Sequence, residues 1–370
     1  MQLDFPNRLY KLSTANFIKT VVISKEQANM SDKIYKVGIA SLVHDHIWSL
    51  CRNFAEHPQC QVVAVGEEDE GLRTRMRGVI PGIREYTDWH EMFEKEPLDI
   101  VVITSENSRT ADIAEVAAAH KVNICIEKPI SATLAQADRI LKAAKDNGVM
   151  LFVNWATNWS PAAQTAFRLV REGAIGQLYD ARIHMAHRGP KEIGCEEHFW
   201  KWLYTPELNG AGAYMDYCCY GADIIRLLLG MPKSVMGWRQ TLVKDYLPAN
   251  SDDNGMVVCF YDNAVARAEA SWCEIPGYHD AVFHGSKGKV ITDSGKVLMS
   301  VDPAKPLTEV PLDTLPPQYK NAAWNFVYCL ENGVEPDGMC NAQVSRDAQE
   351  ILEAGLISDR EGRRVTLPLA

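Results

Sequence analysis

Two different hydrophobic patterns follow one another along this chain. Between residues 34 and 154, short apolar segments of strand length recur at 35–40, 61–65, 83–86, 99–104, 122–126 and 150–154. Helical patterns separate them at 47–54, 89–94, 111–120 and 134–147. Strands that are apolar throughout indicate a parallel sheet covered on both faces, and the helices provide the crossovers. The first part of the chain is therefore predicted to be an α/β domain with a Rossmann-type, doubly wound parallel sheet.

The pattern changes after residue 154. A helix is predicted at 161–172, a strand at 178–186, a loop rich in glycine, proline and aromatic residues at 188–212, and a helix at 213–229. Strands are then predicted at 234–243, 255–261, 265–273, 280–284, 289–292 and 297–301, and helices at 319–332 and 341–359. Closely spaced strands with hairpin signals between them indicate an α+β domain with a large, mostly antiparallel open sheet.

The first 33 residues fit neither pattern. Residues 1–29 mix charged and apolar positions and lack the apolar core of a secretory signal. We expect Met30 to be the natural start and residues 1–33 to be an N-terminal extension; an ordinary N-terminal arm is the alternative. The rest of the chain is predicted to form a dinucleotide-binding domain at 34–153 and a substrate-binding and oligomerisation domain at 154–370.

Composition narrows the classes of partner. The chain has 370 residues, with 38 Lys and Arg against 48 Asp and Glu, and a net charge of -10. An acidic balance argues against nucleic acid or an anionic membrane surface as the main partner. No apolar run approaches the roughly 20 residues that span a bilayer. Ten scattered cysteines without a C-x-x-C pair indicate reduced thiols and a cytoplasmic location.

Ligands of doubly wound sheets bind beyond the carboxyl ends of the strands. The turn after the first strand contains Ser41, His44 and His46 but none of the glycines of a G-x-G-x-x-G fingerprint. Its helix N-terminus and these side chains are candidates for binding a phosphate, and a turn without any phosphate is an equal alternative. Glu67 ends the second strand, where an acidic residue accepts hydrogen bonds from an adenosine ribose and repels a 2′-phosphate. Part of a solvated charge run is the other interpretation of Glu67.

Two further segments carry candidate chemistry. Lys128, in Glu127-Lys128-Pro129, follows the strand at 122–126, where its ammonium can hydrogen-bond a substrate hydroxyl. A surface Glu–Lys pair is the alternative. Asp216 and Tyr220 lie one helical turn apart on the predicted helix at 213–229, after a glycine-rich turn. This stripe is typical of a wall that faces a ligand, although a packed helix with Asp216 as a capping group fits the same pattern.

These motifs resemble the glucose–fructose oxidoreductase/inositol dehydrogenase/MocA (Gfo/Idh/MocA) family of oxidoreductases. The resemblance rests on 99–107, on 122–129 with its Glu-Lys-Pro, on 206–213 with Asp216 and Asp223, and on the ending at 360–365. It implies an NAD(P)-dependent dehydrogenase of sugars, polyols or cyclitols. Lys128 corresponds to the substrate-positioning lysine of the family, and Asp216 to an aspartate of its substrate site.

The sequence departs from the family pattern where many members have a histidine, four positions after the aspartate. Tyr220 stands there, and its unperturbed pKa near 10 is too high for a good base at pH 7. We therefore expect Lys128 to lower the pKa of Tyr220, so that the phenol acts as the acid/base while Asp216 orients the substrate. Further cofactor contacts are expected at Thr104, Asn107, Glu127 and Asn154. Trp155, His198 and Trp202 are expected to contact the substrate.

The predicted function is hydride transfer between NAD, with NADP less favoured, and a hydroxyl-bearing carbon of a sugar-like substrate in a homodimer or homotetramer. Two rivals stay open. One is an NAD-dependent glycosidase or lyase that oxidises the sugar transiently and then eliminates; the other is a sugar or nucleotide sensor without turnover. The spacing of His184, His187, Cys195 and His198 matches no familiar ligand set, and no metal site is predicted.

Overall fold

The computed structural model describes residues 32–369. Most of the predicted N-terminal extension, including Met30, lies outside the described residues. The first sheet has six parallel strands in the order β3-β2-β1-β4-β5-β6. These are β1 (Tyr35–Ala40), β2 (Cys60–Gly66), β3 (Arg84–Tyr86), β4 (Ile100–Ile103), β5 (Asn123–Glu127) and β6 (Leu151–Asn154). The helices between them are α1 (Ile47–Ala55), α2 (Glu70–Val79), α3 (Trp89–Lys95), α4 (Thr110–Ala119) and α5 (Leu134–Asn147).

Local sequence explains why these elements form where they do. All four residues of β4 are buried, as expected for a central strand with helices on both faces. Helix α5 begins where the Thr133 side chain accepts a hydrogen bond from the Gln136 amide, and it ends at Gly148 with φ 65°. Strands β2 and β3 are added on one side of β1, and β4 to β6 on the other, so the doubly wound prediction is confirmed. The point between β1 and β4, where the order of strands reverses, is where such folds bind ligands.

The second sheet has nine strands in the order β14-β13-β12-β11-β7-β10-β9-β8-β15. The strands are β7 (Leu178–Ala186), β8 (Ser234–Gln240), β9 (Asn254–Phe260), β10 (Val265–Ser271), β11 (His279–Gly285), β12 (Gly288–Asp293), β13 (Lys296–Ser300), β14 (Thr308–Val310) and β15 (Val365–Thr366). The helices are α6 (Pro161–Arg171), α7 (Glu197–Leu203), α8 (Pro206–Asn209), α9 (Ala213–Leu229), α10 (Ala322–Asn332) and α11 (Ala342–Glu361). Short 3-10 helices occupy Ala156–Trp159, Pro317–Tyr319 and Gly338–Cys340.

The pairing of this sheet confirms the mostly antiparallel prediction. Only β7 and β10 run parallel to each other among its pairs in the described residues. Alternate residues of β9 are buried, because one face of the sheet is covered by α9 and α11. Within residues 32–369 no helix combines the length and the apolar character needed to cross a membrane.

Several element boundaries differ from the sequence predictions. The sequence predictions do not include α2, because half of its residues are charged or polar. Its first residue follows Asp69, whose side chain caps the helix by accepting a hydrogen bond from the Leu72 amide. Strand β8 ends three residues early because the carboxylate of Asp253 accepts the amides of Leu242, Val243 and Lys244 and turns the chain. The segment predicted as a loop at 188–212 contains α7 and α8.

Helix α10 belongs by sequence to the predicted second domain, yet it packs on the first sheet. Phe326 is fully buried in the same hydrophobic cluster as residues of β1 and α1, and its ring centroid lies 5.1 Å from that of Phe152 in β6. Helix α10, from the C-terminal part of the chain, thus completes the hydrophobic core on one face of the first sheet.

We predict that Phe326→Ala lowers the free energy of unfolding by about 3–5 kcal/mol, because it leaves a cavity between α10 and the first sheet. Urea denaturation of the purified variants measures the effect. Tyr328→Ala on the same helix is the control, since Tyr328 is 42% exposed, and we expect a much smaller change. Equal losses in the two variants would contradict the assigned packing of α10.

Candidate functional site

The turn after β1 adopts a glycine-like conformation without a glycine. Ser41 has φ 69°, in the left-handed region that glycine favours. Its conformation is held by hydrogen bonds of its amide to the Gly66 carbonyl, at 2.8 Å, and of the Thr104 hydroxyl to its own carbonyl, at 2.6 Å. The polypeptide therefore follows a tight turn here although no fingerprint glycine is present.

Glu67, at the end of β2, is bound to this turn. Its Oε2 accepts the Leu42 amide at 2.6 Å and the Ser41 hydroxyl at 3.3 Å, while Oε1 accepts the Asp69 amide at 2.9 Å. The residue is only 4% exposed. A cavity beside it is lined by Ser41, Gly66, Glu67, Glu68, Thr87, Asp88, Trp89, Arg109 and Ile113. Glu67 is thus a fixed, buried carboxylate on the wall of this cavity, in contrast to a solvated charge run.

His44 and His46 differ in their surroundings. His44 is buried, and its Nδ1 accepts the His46 amide at 3.2 Å near the start of α1. Burial holds the pKa of His44 well below its usual value, so the ring is neutral. His46 is half-buried and its Nδ1 lies 2.8 Å from Oε1 of Glu127, whose Oε2 accepts from the Asn154 amide group at 2.6 Å. Ligand atoms of His44, His46 and Glu127 lie within 4.8 Å of one another, but these hydrogen bonds already engage them.

Lys128 and Asp216 form a buried ion pair between the end of β5 and the first turn of α9. Lys128 Nζ lies 2.8 Å from Oδ1 of Asp216 and 3.3 Å from its carbonyl oxygen, and Trp272 Nε1 donates to Oδ2 at 3.2 Å. Burial opposes both charges, yet their attraction prevails. The pKa of Asp216 is held below its usual value and the pKa of Lys128 is raised. Both groups are therefore charged at neutral pH.

Asp216 is free for this pairing because another residue caps the helix. The carboxylate of Asp252 accepts the Gly212 and Tyr214 amides at 2.9 and 2.7 Å at the start of α9. Gly212 lies so close that an added Cβ would stand 2.1 Å from the Asp252 carbonyl oxygen. The interpretation of Asp216 as a capping group is thus wrong, and the glycine-rich turn serves close packing at this position.

Tyr220 lies one turn further along α9. Lys128 Nζ is 4.8 Å from the centroid of its ring, so the predicted neighbourhood of the two groups is confirmed. The expected lowering of its pKa is wrong: burial raises the pKa of Tyr220 above its usual value, although Lys128 acts in the opposite direction. Trp155 packs edge-on behind the phenol, with ring centroids 5.2 Å apart. The Tyr220 hydroxyl forms no hydrogen bond within residues 32–369, so it is available to a ligand.

The ion pair and the phenol line one small pocket. The other predicted residue in its wall is His46, and Phe199 belongs to the aromatic segment at 198–202 that the sequence offers as a wall for a sugar ring or as a hydrophobic anchor. Sequence reasoning missed six more: His187, Pro190, Ile193, Cys195, Leu203 and Tyr217. Most of these lie in the segment predicted as a loop at 188–212. No pattern in the sequence shows that this segment packs over the pocket. Tyr217 stands three positions before Tyr220, so helical spacing could have placed it beside the phenol.

The remaining predicted residues do not line this pocket. Trp155 is buried and donates from Nε1 to Ser345 Oγ at 3.0 Å. Trp202 is buried and donates to the Val43 carbonyl at 3.0 Å. These tryptophans, predicted as substrate contacts, therefore pack beneath the pocket. His198 Nε2 lies 3.4 Å from Oδ1 of Asp45.

Asn107 is also engaged within the protein. Its side-chain amide donates to Oδ1 of Asn209 at 2.8 Å and to the Asn209 carbonyl at 3.2 Å. It thereby ties the loop after β4 to the end of α8, next to the glycine-rich turn. A cofactor contact of Asn107 stays a prediction.

Both parts of the chain match known proteins. Residues 37–155 match the model described as oxidoreductase family, NAD-binding Rossmann fold, and residues 163–291 match the GFO/IDH/MocA C-terminal domain. A D-apiose dehydrogenase of Paraburkholderia graminis is 25% identical over 352 residues, which cover 89% of this chain and 88% of the relative. A D-xylose 1-dehydrogenase [NADP(+)] of Haloarcula marismortui is 25% identical over 55% of this chain and 56% of the relative.

Solved structures show the same fold. A levoglucosan dehydrogenase in complex with NADH and levoglucosan superposes with a TM-score of 0.77 at 20% identity, covering 91% of this chain and all of that structure. The two family models, which match residues 37–155 and 163–291, confirm the family resemblance inferred from the sequence.

The buried ion pair gives a test that needs no substrate. Lys128→Met removes the partner of a buried carboxylate, and we expect a loss of about 3–5 kcal/mol in the free energy of unfolding at pH 7. In the native protein the low pKa of Asp216 stabilises the fold above about pH 4, and this contribution is lost as the pH falls through the folded value. In the variant Asp216 is unpaired and its protonation relieves the penalty. The difference between the two proteins should therefore shrink from pH 7 towards pH 4.

The double variant Lys128→Met, Asp216→Leu is the control, because it removes both charges together. We expect it to recover most of the lost stability in the same urea titrations. A double variant as unstable as Lys128→Met, or a pH-independent difference, would contradict the assignment of a charged pair.

Proposed function

The chain belongs to the GFO/IDH/MocA family of oxidoreductases, and we propose that it transfers a hydride between NAD and a hydroxyl-bearing carbon of an uncharged, sugar-like substrate. The observation that carries this proposal is the pocket in which Lys128, Asp216 and Tyr220 meet at the carboxyl end of the first sheet. The D-apiose and D-xylose dehydrogenases named above act on sugars, which supports the same substrate class.

The turn after β1 and the cavity beside Glu67 suit the binding of a dinucleotide. The switch point between β1 and β4 offers the tight turn at Ser41 and the start of α1, and the Glu67 carboxylate lies at the position where a ribose hydroxyl is bound in doubly wound folds. Glu67, Glu68 and Asp88 line the cavity there, against one guanidinium, Arg109, which pairs with Glu68 at 3.3 Å; the excess of negative charge disfavours a 2′-phosphate. We therefore propose NAD as the preferred cofactor. When bound, it supplies the hydride acceptor for the oxidised carbon.

Side chains of the protein orient the substrate and exchange a proton with it. Lys128 holds a positive charge in the pocket and donates to the oxygen of the reacting carbon, which favours negative charge on that oxygen. Asp216 fixes the lysine and keeps it charged. The free Tyr220 hydroxyl exchanges a proton with the same oxygen. Because its pKa is raised, Tyr220 rests as a phenol, so proton donation to a carbonyl is favoured near neutral pH and proton acceptance from an alcohol at alkaline pH.

The pocket also indicates what kind of substrate enters. Its cation, Lys128, is neutralised by Asp216, and aromatic surfaces of Phe199, Tyr217 and Tyr220 form much of the remaining wall. Apolar ring faces with few polar groups suit the C–H face of a sugar ring better than a phosphate or carboxylate. This supports a neutral sugar, polyol or cyclitol.

Two wider features belong to the same proposal. None of the ten cysteines is paired with another, which suits a reducing cytoplasm.

Met236 and Trp238 of β8 are 44% and 39% exposed, and they lie on a sheet whose other face is covered by α9 and α11. Exposed apolar residues of this kind support a homodimer or homotetramer assembled through the second sheet.

The function is tested by absorbance at the NADH band with the full chain, NAD or NADP, and a panel of neutral sugars and cyclitols. We expect net NADH accumulation with a member of the panel. Product formation without NADH accumulation would instead show oxidation followed by elimination and cofactor recycling. Failure to bind either cofactor in calorimetry would contradict the enzyme proposal and favour a sensor.

We predict that Tyr220→Phe lowers turnover about 10²- to 10⁴-fold, because the substrate oxygen loses its partner for proton exchange. The Kd for NADH should change little. In the wild type the rate of alcohol oxidation should rise with pH into the alkaline range, and this rise should vanish in the variant. Tyr328→Phe at an exposed site is the control. Turnover that survives Tyr220→Phe would exclude the phenol from proton exchange.

Replacing Glu67 tests the cofactor preference. We predict that Glu67→Gln raises kcat/KM with NADP relative to NAD by about tenfold, which corresponds to about 1.4 kcal/mol of repulsion removed. Steady-state rates with both cofactors measure the ratio. Glu94→Gln, an exposed glutamate on α3, serves as the matched control. An unchanged ratio would place the 2′-hydroxyl away from Glu67.

A further inference from the structure

Tyr220 is buried, although the proposed reaction removes or supplies a proton at its hydroxyl in every turnover. The residue is 7% exposed, and the neighbouring Lys128 and Asp216 are 3% and 7% exposed. The lysine and the aspartate stay charged because they pair with each other, so neither is free to carry a proton to solvent. Repeated turnover therefore needs a further group that contacts both the pocket and the solvent.

His46 meets both conditions. It lines the same pocket as Lys128 and Tyr220, and 44% of its side chain is exposed to solvent. Its ring lies near two other rings: the centroid of His44 is 4.5 Å away and that of Phe199 is 6.5 Å away. Imidazole is the side-chain group best suited to accept and release protons near neutral pH. His46 is thus a candidate for carrying protons into and out of the pocket.

The carboxylate of Glu127 determines which nitrogen of this ring accepts a proton. Nδ1 of His46 lies 2.8 Å from Oε1 of Glu127, and Asn154 donates to Oε2 at 2.6 Å. Because a carboxylate accepts hydrogen bonds, Nδ1 of the neutral ring carries the N–H and Nε2 keeps its lone pair. Nε2 has no hydrogen-bond partner among the described residues 32–369. When Nε2 takes up a proton, Glu127 balances the charge of the imidazolium, as a carboxylate does beside a general-base histidine.

The pair of His46 and Glu127 lies within electrostatic reach of the phenol. Burial is the largest cause of the raised pKa of Tyr220, and the negative charge of Glu127 adds to it. Glu127 is the last residue of β5 and directly precedes Lys128, so the pair and the buried ion pair start from the same strand end. His44 does not compete for the proton, because burial holds its pKa well below the usual value.

We propose that His46, oriented by Glu127, relays protons between Tyr220 and the solvent through water in the pocket. The inference rests on the proposed function. In the reducing direction the carbonyl carbon of the sugar receives the hydride from NADH, and its oxygen takes the hydroxyl proton of Tyr220. Protonated His46 then returns a proton from Nε2 to the phenolate and takes up another from bulk water. In the oxidising direction the same steps run in reverse, and His46 releases the proton to solvent.

Rapid mixing of the NADH-loaded protein with the oxidised sugar separates the relay from the phenol. The first turnover uses the proton already on Tyr220, so we expect His46→Ala to oxidise the first NADH at the wild-type rate. Later turnovers need a new proton, and we expect them to slow about tenfold or more in dilute buffer. Tyr220→Phe should slow the first turnover as well. His120→Ala, at an exposed histidine, is the matched control and should equal the wild type in both phases.

Chemical rescue tests whether the missing group carries protons. Because His46 is half-buried at the mouth of the pocket, its removal leaves a space that is open to solvent. We expect added imidazole to restore much of the rate of the later turnovers in His46→Ala and to leave the wild type unchanged. Glu127→Gln should also slow the later turnovers, because its amide donates to Nδ1 and places the ring proton on Nε2. The Kd for NADH of His46→Ala should stay within about twofold of the wild type.

Three results would overturn the relay in a protein that does reduce the sugar. One is a wild-type rate of later turnovers in His46→Ala in dilute buffer, and another is a slowed rate that imidazole does not restore. The third is a raised Kd for NADH with normal turnover at saturation, which would assign His46 to cofactor binding. A wild-type protein that reduces no oxidised sugar would instead overturn the proposed function on which the relay rests.

Discussion

The buried ion pair between Lys128 and Asp216 is the interaction on which the site depends. It joins the carboxyl end of β5 to the first turn of α9, so it links the parallel sheet to the helix that covers the second sheet. Two charges in a buried setting are stable only with close partners, and here the Trp272 indole completes the coordination of the carboxylate. The ammonium of Lys128 is balanced by the carboxylate of Asp216, so the pair adds no net charge to the pocket, and this supports the proposed preference for neutral substrates.

Other parts of the structure serve this arrangement. Asp252 caps α9 and leaves the Asp216 side chain to the lysine, and Gly212 allows the close packing that brings the helix start into place. Glu67 and Thr104 hold the turn after β1 in a shape that glycines commonly provide. The absence of fingerprint glycines in the sequence is thus compensated by hydrogen bonds that no motif describes.

The sequence was sufficient for the architecture and for the centre of the site. Strand β4 and the centre of β5 are apolar, and the helix at Ala213–Leu229 lies between a glycine-rich turn and Gly230, so the sequence locates the element ends at which Lys128 and Asp216 stand. The rest depends on long-range packing. The pKa of Tyr220 reflects burial by residues far apart in sequence. The indoles of Trp155 and Trp202 donate to Ser345 and to the Val43 carbonyl, which are also distant along the chain.

The most direct test of hydride transfer in this pocket follows the hydrogen itself. A sugar that the protein oxidises is supplied with deuterium on the reacting carbon, and the cofactor is analysed by mass spectrometry. The account predicts one deuterium in each NADH formed, with the transfer strongly reduced in Lys128→Met. Reduced cofactor without deuterium, or deuterium released to water while NADH fails to accumulate, would contradict it.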